Sequence, residues 1–210
     1  MESNLKMVFS VVVLAAGNST RMGVPKFSLK FNSKHTFVEH IAQEYHHIGC
    51  KEIIVVINES GNSYIKESAF DFPENVKFVI NDYPEWDRFY SVKRGLQSLS
   101  KTQPVFIVNV DNPFVNPEVI YALLNEKDNA DYVHPTYKGK GGHPVLLSQR
   151  IIRNIVNEKQ NQLNFREYLN NYSKKKVQVK DENILVNINT QDEYCVVFPS
   201  LIDYNPNLYY

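Results

Sequence analysis

Cysteine and tryptophan are nearly absent from this 210-residue chain, with two and one copies, and glycine is thin at eight. Cys50 and Cys195 lie far apart and neither belongs to a CxxC pair. That excludes a dense disulfide framework and leaves two free thiols in a reducing compartment as the expectation. Long apolar runs are missing too. The longest early one, Val8 to Ala16, is too short to span a bilayer and ends in a glycine loop. No signal-peptide pattern is visible, so the reading is a soluble, cytoplasmic protein with no membrane partner. Neither sign of charge is in excess: 23 basic residues balance 23 acidic ones. A general nucleic-acid or membrane-surface binder carries a basic surplus, so neither partner is expected. Repeats and low-complexity blocks are also lacking. What is present is 43% hydrophobic residues, enough to bury one substantial core.

Along the chain, strand-like apolar runs alternate with helix-period segments. Phe9 to Leu14 is rich in β-branched residues and apolar on both faces, as a central buried strand must be. Thr36 to Ile48 follows a helical period, with Phe37, Val38, Ile41, Ala42, Tyr45 and Ile48 on one stripe and Gly49 at the C-terminal stop. Ile53–Ile57, Val76–Ile80 and Val105–Val110 read as further strands, and Ser91–Leu99 as a helix. Short strands at Val145–Leu147 and Val177–Val179 and a closing helix over Gln191–Phe198 follow a less regular stretch after Tyr132. This alternation predicts an α/β fold with a mostly parallel sheet covered by helices on both faces. A single domain over residues 1–198 is expected, with a surface tail over 199–210.

In such sheets ligands bind beyond the carboxyl ends of the strands. The stretch after the first strand is Leu14-Ala15-Ala16-Gly17-Asn18-Ser19-Thr20-Arg21-Met22-Gly23-Val24-Pro25-Lys26. Its small residues allow close approach of a base and phosphates, and its backbone N–H groups can cradle an anion. Arg21 and Lys26 supply positive charge for a triphosphate. It is neither GxxxxGK[ST] nor GxGxxG; by composition alone, a strand-to-helix turn with two surface cations explains it equally well.

The residue order goes further. LAAGNSTRMGVPK resembles the LAAGxSxRMGxPK signature of the MobA-like NTP transferases, which include the molybdenum cofactor guanylyl- and cytidylyltransferases. The resemblance implies a three-layer α/β/α nucleotide-binding fold of the nucleotide-diphospho-sugar transferase type. It implies that Leu14, Ala15, Ala16 and Gly17, with Asn18 and Ser19, contact the nucleotide, and that Arg21 and Lys26 hold the phosphates and act in transfer.

Asp111, in Val110-Asp111-Asn112-Pro113, reads from spacing alone as a turn residue. The segment resembles the family's hydrophobic strand ending in Asp-x-Pro, where the aspartate binds Mg²⁺, or Mn²⁺ in its place. Magnesium needs only one or two protein oxygens beside substrate phosphates and water. Val186-Asn187-Ile188-Asn189-Thr190-Gln191-Asp192-Glu193-Tyr194 contains a capping box, Thr190 with Glu193. It also resembles the family's closing motif, NINTPEDL or DIDTPEDY. That implies Asn187 as the second metal contact, with Asn189 the next candidate; Gln191 stands where proline is usual, a departure bearing on helix initiation more than chemistry.

Arg88 to Leu96 resembles the family's G-x-x-x-S-V-x-x-G-L region without a clear leading glycine. The resemblance gives Ser91 a base or ribose contact, compatible with its serving as an N-cap. Lys138 to Val145 resembles the cytidylyltransferases' G-x-x-G-H-P-V segment, which gives Gly142 and His143 to the acceptor; a structural histidine is the equal alternative.

The implied activity is transfer of a nucleoside monophosphate from CTP or GTP to a phosphorylated small molecule, with molybdopterin the leading acceptor. A sugar, polyol or choline phosphate acceptor is the alternative within the enzyme class, and a non-catalytic nucleotide-binding protein the alternative outside it. Intact Arg21, Lys26 and Asp111 favour the enzyme. A monomer or homodimer is expected.

Overall fold

The computed structural model describes residues 8–202 apart from Asp87 and Thr102. The first strand, β1 (Ser10–Leu14), and the second, β2 (Ile53–Ile57), lie at its centre, and their apolar residues are almost wholly shielded from water. Such runs cannot form an amphipathic surface strand; they need cover on both faces, and they get it. Val11, Val13 and Val55 face one core, shared with Phe37, Ile41 and Tyr45 of helix α1 (Phe37–His47) and Ile120 and Leu123 of α4 (Pro117–Asn125). Val12, Ile54 and Val56 face the other, with Phe89, Val92 and Leu96 of α3 (Arg88–Gln97) and the isoleucines of α5 (Gln149–Asn157). Three layers follow from that alternation, each buried aliphatic side chain contributing about 1.5–3 kcal/mol.

β1 pairs in parallel with β2 and with β4 (Val105–Asn109), and β2 pairs in parallel with β3 (Val76–Ile80). Helix α2 (Glu59–Glu67) connects β2 to β3. The remaining strands are β5 (Tyr132–Tyr137), β6 (Lys140–Gly141), β7 (Val145–Leu147) and β8 (Lys174–Gln178). The sheet order is β3-β2-β1-β4-β7-β5-β6, with β8 on the far side of β5. The contacts β4–β7, β7–β5 and β5–β6 are antiparallel and β5–β8 is parallel. The sheet is therefore mixed, with a wholly parallel half, β3-β2-β1-β4, as the sequence predicts.

Several elements differ from the sequence reading. α3 starts at Arg88, so Ser91 lies within the helix and does not cap it. β8 begins three residues before the expected Val177, since pairing with β5 rather than hydrophobicity defines it. The tail begins with a helical turn, α8 (Pro199–Ile202), and Leu201 packs on the core; residues 203–210 lie outside the described residues. Helix α6 (Phe165–Leu169) completes the second core, and α7 (Gln191–Val197) closes the chain against the first. No helix among the described residues is long and apolar enough to cross a membrane. Neither cysteine forms a disulfide, and burial pushes the Cys50 thiol up to about 12.

Candidate functional site

Between β1 and β4 the strand order reverses direction, since β2 lies on one side of β1 and β4 on the other. That is the switch point at which open α/β sheets hold ligands, and a cleft of about 360 Å³ occupies it. Leu14, Ala15, Ala16, Gly17, Ser19, Arg21 and Lys26 line one wall; Ser91, Asn109, Asp111 and Asn189 line the others. Most residues the sequence nominates are thus brought together.

The basic loop is held from within. Ser19 takes a left-handed conformation (φ 50°), its carbonyl accepts from Met22 and Gly23 N–H, and its hydroxyl accepts from Lys26 N–H at 3.1 Å. Met22 is buried and anchors the loop in the core. Gln191 Nε2 donates to the Met22 carbonyl at 3.2 Å, so this residue, which reads as a matter of helix initiation, ties the closing segment to the loop. A side chain at Gly17 would meet no protein atom within 4 Å. The space its absence leaves open belongs to the cleft. Asn18 lies outside the lining; its amide oxygen accepts from Asn58 at 3.4 Å. Arg21 is exposed at the cleft.

Lys26 is the hub. Its Nζ donates to Asn189 Oδ1 at 2.8 Å and lies 3.4 Å from Asp111 Oδ2. Asp111 is tied further by its carbonyl, which accepts from Ile188 N–H at 2.8 Å. Its second carboxylate oxygen, Oδ1, is buried and has no hydrogen-bond partner. A buried carboxylate oxygen without a partner costs more than a typical hydrogen bond returns, and hard-cation ligation is one way to satisfy it. No group of three or more His, Cys, Asp or Glu residues able to hold a metal occurs among the described residues. The donor set thus fits an ion that takes one or two protein oxygens and completes its shell from substrate.

Of the two asparagines of the closing motif, Asn189 reaches the cleft and Asn187 does not. Asn187 is exposed, and its amide donates to the Leu185 carbonyl at 3.3 Å. Asn189 is set by the capping box: Glu193 Oε2 accepts from the backbone N–H of both Asn189 and Thr190, at 2.6 and 3.1 Å.

Ser91 accepts a 2.8 Å hydrogen bond from Asn81, a buried residue just past β3. Gly142 and His143 stand behind the cleft and outside its lining. A side chain at Gly142 would come 2.3 Å from the Ile184 carbonyl oxygen, and the same oxygen accepts from His143 N–H at 2.9 Å. The glycine is therefore required by backbone contact. Burial, aided by the Arg88 charge and opposed by Asp111, lowers the His143 pKa to about 4. Its ring is then neutral near pH 7 and offers no charge to a phosphate. Asn109 Nδ2 lies 3.1 Å from His143 Nε2; with the amide as donor, the ring proton sits on Nδ1.

Sequence reasoning missed Asn109 and Trp86 as cleft residues. For Asn109 a signal existed: a polar side chain ends an otherwise apolar strand, Val105-Phe106-Ile107-Val108-Asn109. Trp86 had no signal beyond being the chain's single tryptophan.

Comparison with known proteins agrees with the fold. Residues 11–175 match the family described as the MobA-like NTP transferase domain. A probable molybdenum cofactor guanylyltransferase from Methanosarcina mazei is 26% identical over 150 residues, 70% of this chain and 66% of that protein. One from Natranaerobius thermophilus is 30% identical over 135 residues, 62% of this chain and 61% of that protein. The chain thus spans just under two thirds of the length of each. A Mycobacterium tuberculosis protein solved in complex with manganese shares the fold, with a TM-score of 0.72 at 16% identity, covering 92% of this chain and 98% of that one.

Proposed function

The chain belongs to the MobA-like NTP transferase family, and from that premise we propose that it transfers a nucleoside monophosphate from GTP or CTP to a phosphorylated small molecule in the cytoplasm. The observation that carries the reading is the Lys26 ammonium held between Asp111 and Asn189, beside a buried carboxylate oxygen with no partner. Molybdopterin is the preferred acceptor, on the names of the two guanylyltransferase relatives. Those names also favour GTP over CTP.

The reaction needs no protein nucleophile. An ionised phosphate oxygen of the acceptor attacks the α-phosphorus, the bond from that phosphorus to the β-bridging oxygen breaks, and pyrophosphate leaves with the electron pair. The protein's part is to align two anions and neutralise them. The backbone from Leu14 to Gly17 seats the nucleoside end, Arg21 and Lys26 lie against the triphosphate, and Ser19 fixes Lys26 through its backbone N–H. Asp111 with Asn189 would hold Mg²⁺ or Mn²⁺, the role the sequence pattern assigned to Asn187; when bound, the metal supplies charge stabilisation to the phosphoryl oxygens.

Pyrophosphate release, assayed with GTP or CTP and a panel of phosphorylated pterin, sugar and polyol acceptors, tests this. Asp111→Asn is expected to lower turnover by about 100-fold or more, and excess EDTA to abolish it. Arg21→Ala and Lys26→Ala should each cost about 1.5–3 kcal/mol in kcat/KM. Full activity in EDTA, or an unimpaired Asp111→Asn, refutes the metal site. Nucleotide binding without pyrophosphate release from any acceptor would instead make the protein a non-catalytic binder.

A further inference from the structure

One aromatic ring lines the cleft, and nothing in the transfer chemistry accounts for it. Trp86 lines the cleft, as does Ser91. It is held by a tight turn from Tyr83 to Trp86, closed by a 3.0 Å bond from Trp86 N–H to the Tyr83 carbonyl, with Pro84 in the second position. Proline there pre-sets the turn. The turn is pinned from below by Asn81. Its Oδ1 accepts from Tyr83 N–H at 2.8 Å and its Nδ2 donates to Ser91 Oγ, also at 2.8 Å. One buried side chain therefore sets both the turn and the serine.

The rings are ordered relative to one another. Tyr83 and Trp86 stack with centroids 4.1 Å apart and planes within 9°. Tyr90 stands nearly perpendicular to both, 4.9 Å from Trp86 and 5.8 Å from Tyr83. Those separations put Tyr90 beside the stacked pair and not on top of it. Tyr83 thus covers one face of the indole, and neither tyrosine covers the other. Tyr83 is 44% exposed and outside the cleft lining, whereas Trp86 is half-buried and within it.

We propose that Trp86, braced by Tyr83 and Tyr90, is the platform on which the base of the bound nucleotide stacks. A planar, braced ring loses little conformational freedom on binding, and every nucleobase offers a π-face to it. Stacking reads the plane of a base and not its edge. The platform therefore supplies affinity for GTP and CTP alike and leaves discrimination to groups that reach the base edge. The inference rests on the nucleotidyltransferase reading and gives the nucleoside end of that site a residue of its own.

Because Trp86 is the chain's only tryptophan, its emission reports on the platform alone. Wild-type protein with Mg²⁺ is titrated with GTP, CTP and inorganic tripolyphosphate while binding is followed separately by equilibrium dialysis. Both nucleotides are expected to quench the emission saturably, and tripolyphosphate to bind without quenching. Trp86→Ala should weaken both nucleotides about 10-fold or more, as loss of one base–aromatic stack does. Trp86→Phe should restore most of that affinity, and tripolyphosphate affinity should not change in either variant. Nucleotide binding without quenching, equal quenching by tripolyphosphate, or equal weakness of the Ala and Phe variants overturns the platform while leaving the transferase reading intact. Quenching by a phosphorylated pterin but not by nucleotides also overturns it, by giving the ring to the acceptor. Absence of nucleotide binding to the wild-type protein removes the transferase reading, and the platform falls with it.

Discussion

The two halves of the sheet are built on different principles. In the parallel half, β3-β2-β1-β4, the two central strands and β4 are apolar runs covered on both faces, and the hydrophobic effect alone explains their position. In the mixed half, β7, β5, β6 and β8, the strands are short or polar. β8 reads Lys-Lys-Lys-Val-Gln and leaves its lysines in water, which suits an edge strand that must not recruit another. This half is fastened to the rest by polar pins. His143 meets Asn109, Asn112 donates to the Asn183 and Val186 carbonyls, and Ile188 N–H reaches Asp111. Both halves bury apolar side chains, Val133, Leu146 and Leu147 among them, but the second adds directional bonds and is exposed to changes in protonation.

Acid is the strongest way to separate the halves. His143 has a folded pKa near 4, against an ordinary 6.5, with burial the main cause. Below 6.5 the unfolded chain binds protons that the native state refuses. Stability is therefore complete above about pH 6.5 and declines as pH falls toward 4. For His143 the loss reaches about 3 kcal/mol. Melting curves between pH 7.5 and 4.5 should show it, and His143→Gln should flatten the decline. An unchanged pH profile in that variant would mean His143 is no pin.

Volume tests the parallel half. A side chain at Gly95 would lie 2.4 Å from Val12 Cγ1 and 3.0 Å from Val56 Cγ2, because α3 rests directly on β1 and β2. In an open helix, Gly→Ala gains about 1 kcal/mol. Here Gly95→Ala is expected to lose about 1–3 kcal/mol to overpacking. Gly17→Ala, with nothing within 4 Å, should leave the melting temperature nearly unchanged. Denaturant unfolding of both variants checks the contrast, and a stabilised Gly95→Ala would contradict the close packing.

The smallest expected effect concerns Gln191, which ties the closing segment to the basic loop. Gln191→Ala removes one neutral hydrogen bond, worth about 1 kcal/mol. The nucleotide KM should rise about fivefold, with kcat and melting temperature nearly unchanged. Equal losses in kcat would show that the bond matters to the transition state and not to the loop's resting position.

The same contrast explains what could be read from sequence. β1, β2 and β4 are legible because burial writes itself into local composition, and half-buried β3 because its residues are mostly apolar. The loop from Leu14 to Lys26 and the carboxylate at Asp111 are legible because each is a continuous segment. Helix α4 is absent from the sequence reading although it carries a start signal, Asn116-Pro117-Glu118, with Asn116 accepting from Glu118 N–H. β5 is obscured by His134 and Pro135, and β8 by its lysines, since pairing and not hydrophobicity defines both. In the site, the motif pattern puts Asn187 ahead of Asn189, whereas it is Asn189 that lines the cleft. Only Lys26, 163 residues earlier, selects the second. The partnership of Asn109 with His143 and the placing of Trp86 likewise depend on elements meeting in space.

That long reach from Lys26 to Asn189 bears on biosynthesis. A chain leaving the ribosome has its first four strands and its basic loop well before the segment that completes the site exists. Until Asn189 and Gln191 emerge, Lys26 lacks its 2.8 Å partner and the Met22 carbonyl lacks its donor. The nascent protein is thus a sheet with an unfinished cleft until those two residues follow.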